Sequence, residues 1–139
     1  MSSHPHTIAV GFDGSPDARG AATWALETAA LLRAHVVLVY ARGLLERHRD
    51  PAREFALLVG QLVGRAGFSP LHLSWHVGDG DALSVLLRAT EAPVFADLLV
   101  VGSRGRDEHA GLLLGSTSLQ LAERSPVPVV IVPTGHTLD

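Results

Sequence analysis

Apolar and polar positions along the chain follow two distinct periods. Four short runs are almost continuously apolar and rich in β-branched residues: Thr7–Phe12, His35–Ala41, Asp97–Gly102 and Val127–Pro133. Such runs suit parallel strands covered on both faces. A fifth, Leu71–Val77, alternates, which predicts a strand with one wetter face at a sheet edge. Helical periods with readable ends lie between the runs. Ser15 followed by Pro16 makes an N-cap with proline at the first helical position. Ala18, Ala21, Ala22, Ala25, Ala29 and Leu32 then recur on one face, small enough to sit close to a sheet. A second helix is predicted from Pro51 to about Arg65, ending near Gly67. A third follows "GDGD", with Asp79 and Asp81 as its N-terminal acids and Ala82, Val85, Leu86 and Ala89 inward, and stops before Pro93. A fourth starts at Gly115–Ser116 and stops before Pro126.

This alternation predicts one doubly wound α/β domain over residues 1–139, with a mainly parallel five-stranded sheet and residues 1–6 as a flexible tail. In such sheets ligands bind beyond the carboxyl ends of the strands, where the strand order reverses. The first and fourth strands end in the glycine-marked turns "GFDGSP" and "GSRG". If those strands are neighbours at the reversal, Asp13 and Gly102 face one crevice.

Composition narrows the function. The formal net charge is −3 and no arginine-rich run stands out, so nucleic acid is not an expected partner. No apolar stretch approaches the ~20 residues of a membrane span. The first ten residues, "MSSHPHTIAV", lack the basic-then-apolar build of a secretory signal. Cysteine is absent, which removes disulfides and thiolate metal sites and fits the expected cytoplasmic location. All 11 basic residues are arginine. Without lysine there is no Walker A phosphate loop, no Schiff base and no lysine general base.

The stretch "VVGSRGRDEHAGLLLGSTS" carries the densest chemistry. Gly102-Ser103-Arg104-Gly105 leaves the fourth strand, nine residues follow, and Gly115-Ser116 opens the fourth helix. A helix start presents unsatisfied N–H groups and a positive dipole end, which suit a phosphate. Glycines let a backbone close on what it approaches, whether that is a ligand or another part of the protein. Ser116 and Ser118 add hydroxyl donors.

The spacing G-x2-G-x9-G-S resembles the ATP-binding signature of the universal stress protein family. "IAVGFDGSP", "ATWALETAALL" and "SPVPVVIVP" extend the resemblance over nearly the whole chain. The resemblance implies strand order 3-2-1-4-5, helices on both faces and a homodimer. It also implies ATP, alone or with Mg2+, between the ends of the first and fourth strands. Carried over, Asp13 would bind ribose beside the Gly11 and Phe12 backbone, and the Val39 backbone would read adenine. Gly102 would approach the ribose, while Gly105, Gly115 and Ser116 would cradle phosphates alongside Arg104, Thr117 and Ser118. Asp13 also has a simpler use, capping the turn after the first strand. Arg104 and Arg106 are solvated or screen phosphate, and Asp107 and Glu108 oppose a triphosphate unless a cation or arginine intervenes.

The family order puts the fifth strand at an edge. Val127, Val129, Val130, Ile131 and Val132 make that edge apolar, so a two-fold dimer through it is expected. Eight histidines raise a metal reading. His72 and His76, on one strand, would lie about 13 Å apart, too far to share an ion. No residue is assigned as catalytic or metal-ligating. The leading expectation is an ATP- or ADP-binding regulatory protein. Two alternatives remain: the same fold acting through protein contacts alone, and a slow ATPase or autophosphorylating switch through Ser116, Thr117 or Ser118. A phosphoacceptor response regulator would need a lysine after the fifth strand, and the chain has none.

Overall fold

The apolar runs become five strands: β1 Thr7–Gly11, β2 His35–Arg42, β3 Leu73–Asp79, β4 Leu98–Gly102 and β5 Val129–Val132. A computed structural model describes residues 5–42, 50–62, 72–103 and 115–133. The strands pair in parallel in the order β3-β2-β1-β4-β5. Helices α1 Pro16–Leu32, α2 Pro51–Leu62, α3 Ala82–Arg88 and α4 Ser116–Arg124 connect them. This is the doubly wound α/β domain that the alternation predicts.

Neighbouring residues of a strand point to opposite faces, so a run covered on both sides must be apolar at every position. Ile8, Val10, Val36, Leu38, Val100 and Val132 pack with the alanines of α1, and Phe55 and Val59 of α2 join them. Ala9, Val37, Val39, Leu99 and Val101 turn the other way, onto Val85 and Leu86 of α3 and Leu121 of α4. The helices therefore cover both faces in pairs. At the edge, β3 is covered less. Leu73 is buried but Trp75 stays 42% exposed, with the Phe55 ring 6.2 Å away.

The caps follow the sequence. Ser15 is the N-cap of α1, its Oγ accepting the Ala18 N–H at 3.2 Å, with Pro16 behind it. Arg33 ends that helix in the left-handed region, at φ 56°. Asp81 is the N-cap of α3 and accepts the Ser84 N–H at 2.9 Å. That bond holds its carboxyl below the usual carboxylate range.

Several expectations need correction. Asp79 is not a helix-start acid; it ends β3, and its carbonyl accepts from Arg88 at 2.5 Å. Ala82 is exposed, and Leu83 packs against the core instead. Val127 precedes β5, in a turn where Ser125 Oγ donates to its carbonyl at 2.7 Å and accepts its N–H at 3.1 Å. His6 is not loose, because its N–H donates to the Asp97 carboxylate at 2.9 Å, as does that of Thr7 at 3.0 Å. The expected continuation of α2 towards Arg65 and Gly67 lies outside the described residues. Among the described residues no helix is long and apolar enough to cross a membrane.

Candidate functional site

From β1 the chain builds outward through β2 to β3, then returns to place β4 on the other side of β1. The reversal opens at the carboxyl ends of β1 and β4, at Gly11 and Gly102.

The β1 turn is shaped from within. Asp13 Oδ1 accepts the Ser15 N–H at 2.9 Å, and Gly14 takes φ 79°. Asp13 thus folds the turn that presents the α1 N-terminus, its simpler expected use. Gly11 serves packing: a Cβ there would lie 3.0 Å from Leu86 Cδ1 and 3.2 Å from Val101 Cγ1. Phe12 is buried beneath the turn.

At the end of β4, Gly102 approaches protein. A Cβ on it would stand 2.8 Å from the Asp17 carbonyl oxygen and 2.9 Å from Asp17 Cβ. The first turn of α1 therefore rests directly on the last residue of β4. The ribose role expected for Gly102 is not what demands a glycine there.

Ser103, which the motif passes over, is the hub. It is only 5% exposed, and its polar atoms join three elements. Its N–H donates to the Val132 carbonyl of β5 at 3.0 Å, and its carbonyl accepts the Gly115 N–H at 2.6 Å. Its Oγ donates to Asp17 Oδ2 at 3.2 Å.

Gly115 is the N-cap of α4, at φ −75° and ψ 162°, with no side-chain cap hydrogen bond. That backbone is ordinary extended geometry, so no left-handed conformation requires glycine. Gly115 itself supplies no capping side chain, whereas Ser15 and Asp81 each cap their own helix. Ser116 is exposed and Thr117 half-buried at this opening. Ser118 is not an open donor as expected: it is buried, and its Oγ donates towards the Ser103 carbonyl at 3.2 Å and the Gly115 carbonyl at 3.0 Å. Arg104 and Gly105, with Asp107 and Glu108, lie outside the described residues.

On the side where adenine was expected, β2 borders β1. Val39 is buried within the sheet and its carbonyl accepts the Phe12 N–H at 2.9 Å. β2 continues to Arg42, past the last β1–β2 register pair, Gly11 with Val39. By the period of two, Ala41 turns its main-chain groups the same way as Val39, beyond the end of β1.

Histidines gather at the opposite end of the sheet. His35 opens β2, its Nε2 2.8 Å from Ser74 Oγ. Burial, with His72 nearby, holds its pKa below the ordinary value. Among the described residues no three His, Cys, Asp or Glu side chains are grouped to hold a metal ion.

The model of the universal stress protein family matches residues 5–133. The chain belongs to the universal stress protein family. A universal stress protein of Mycobacterium tuberculosis is 32% identical, covering 92% of this chain and 96% of its own length. A second from that organism is 31% identical over 91% of this chain but only 47% of its own length. Among solved universal stress proteins, one crystallised in complex with cAMP superposes with a TM-score of 0.75 at 29% identity, covering 96% of this chain and all (100%) of that one. UspA from Lactobacillus plantarum, 21% identical with a TM-score of 0.70 and covering 94% of this chain and 99% of its own, shares the fold.

Proposed function

We propose that this universal stress protein is a cytoplasmic regulatory protein that binds an adenine nucleotide between the carboxyl ends of β1 and β4. The observation that carries the reading is the joint between Ser103 and Gly115, 2.6 Å from carbonyl to N–H, which brings the α4 N-terminus with its glycine N-cap to the strand reversal. First-turn N–H groups and the helix dipole there favour an anion. A relative 29% identical to this chain was crystallised with cAMP, which supports a nucleotide as that anion's source. In this reading Gly115, Ser116 and Thr117 meet phosphate, with Arg104 and Gly105 completing the motif. Ala41 offers main-chain groups to the base, and the Gly11–Asp13 turn borders the sugar.

Calorimetric titration with ATP, ADP, cAMP and GTP tests the proposal. A main-chain donor and acceptor matched to adenine N1 and N6 meet the reverse pattern in guanine. Adenine nucleotides are expected to bind at least ~10-fold tighter than GTP, about 1.4 kcal/mol. No binding of any of them would remove the reading. One observation favours a second reading, a family fold acting through protein contacts alone: Gly102 is explained by Asp17 without any ligand. Nucleotide-free protein after gentle purification, together with silent titrations, would favour it.

A further inference from the structure

We propose that Arg88 is a positioning residue for base selection: it pins the β3–α3 turn, which holds the end of β2 extended so that Ala41 presents its main-chain groups to the base. The inference rests on the nucleotide reading above and concerns a residue outside the glycine motif.

The strand ladder shows where support is needed. Pairing between β1 and β2 ends at Gly11 and Val39. Ala41 and Arg42 keep β3 as their ladder partner, through Gly78 and Asp79. The Val39 carbonyl accepts from Phe12, on the β1 side, whereas the Arg42 carbonyl accepts the Gly80 N–H at 3.3 Å, on the β3 side. By the period of two, the main-chain groups of Ala41 point to the β1 side, beyond the end of that strand. They offer a donor and an acceptor to one base only while this stretch of β2 stays extended, because a rotated peptide turns one of them away. Its extension depends on β3, and strand ends open more readily than central pairs.

Helix α3 ties that end of β3 down. Val85 packs on Gly78, the partner of Ala41, where a Cβ would stand 2.7 Å from Val85 Cγ1. From the last turn of α3, the Arg88 guanidinium reaches back and donates to the Asp79 carbonyl at 2.5 Å. Gly80 follows at φ 123°, a conformation that favours glycine, and Asp81 then caps the helix. The residue whose N–H bonds the end of β2 therefore sits between the carbonyl that Arg88 holds and the cap of α3. Arg88 is itself exposed, so shortening it opens no cavity in the core. What is lost is the bond that fixes the turn.

ATP and GTP share ribose and triphosphate, so the ratio of their affinities isolates the base. Calorimetry with each ligand compares wild type, Arg88→Ala and Arg88→Lys. Arg88→Ala is expected to weaken ATP about 5-fold while changing GTP by less than about 2-fold. Arg88→Lys still donates to a single carbonyl and should keep the wild-type ratio. Melting curves report that each variant is folded, and a general loss of structure would weaken both ligands together. If Arg88→Ala leaves the ratio unchanged, or Arg88→Lys loses it as alanine does, the positioning role is wrong while the nucleotide reading stands. Equal binding of ATP and GTP by the wild-type protein would overturn it in the same way. If neither ligand binds the wild-type protein, both readings fall together.

Discussion

Gly102 and Asp17 are in backbone contact: a Cβ added to Gly102 would meet the Asp17 carbonyl oxygen at 2.8 Å. The end of the fourth strand and the first turn of the first helix are separated by 85 sequence positions, 102 − 17, yet touch without a side chain between them. The obstructing atoms are the Asp17 carbonyl group and Cβ, none of which a rotamer change moves. Gly102→Ala is therefore expected to destabilise the protein by about 1–3 kcal/mol through overpacking. Urea unfolding monitored by circular dichroism reads this as a lowered midpoint at unchanged slope. An unaltered midpoint would mean that α1 moves away freely.

Gly115 behaves differently. Its φ of −75° suits any residue, so a substitution there need not strain the backbone. Gly115→Ser would place a capping hydroxyl where α4 has none and stabilise the fold by a few tenths of a kcal/mol. The same hydroxyl would compete with a phosphate for the helix N–H groups, and Gly115→Val would fill that space outright. Thermal shift should show Gly115→Ser melting at or above wild type, while titration shows weaker nucleotide binding. Full affinity in Gly115→Val would make the glycine a turn residue only.

The edge of β5 supports a proposal about assembly. Leu99 N–H bonds the Pro128 carbonyl and Ser103 N–H that of Val132, each at 3.0 Å. The main chain of Val129 and Ile131 therefore faces outward, away from β4. We propose that two copies pair antiparallel along this edge. Val132 is buried on the α1 face, so arginine there would damage the core and test nothing specific. Ile131→Pro instead removes one outward N–H, at an edge position where proline is tolerated. Light scattering should then show a monomer that still unfolds cooperatively. An unchanged dimer mass would exclude this edge.

His35 links stability to pH at the far end of the sheet. Its folded pKa lies below the ordinary 6.5, because burial disfavours the charged ring and His72 adds repulsion. The unfolded chain then binds a proton more readily than the native one. Stability is fully present above about pH 6.5 and is lost as pH falls through that value towards the folded pKa. Chemical unfolding at pH 7.5 and 5.5 should show a smaller loss for His35→Gln than for wild type. An equal loss would assign the acid sensitivity to other groups.

The order of elements was legible because it rests on local signals. Ser15-Pro16 opened α1, Gly115 opened α4, and the apolar runs became β1, β2 and β4, which helices cover on both faces, and the half-buried edge strand β5. The strand order, and with it the reversal, came from the resemblance to the universal stress protein family rather than from any local pattern. Individual roles at that reversal were less visible, since a glycine in sequence does not reveal what it approaches. Whether Gly102 faces a ligand or Asp17 depends on how α1 lies across β4. Whether the Ser118 hydroxyl is open or spent on the Ser103 carbonyl depends on where α4 docks. Val39 was assigned to adenine by resemblance, and only the pairing of β1 with β2 shows its carbonyl spent on the Phe12 N–H. Hydrophobic period and capping chemistry act between near neighbours, so the chain by itself determined the elements and their order. Close contacts and committed hydrogen bonds join residues distant in sequence, so only the tertiary structure decided which atoms at the crevice remain for a ligand.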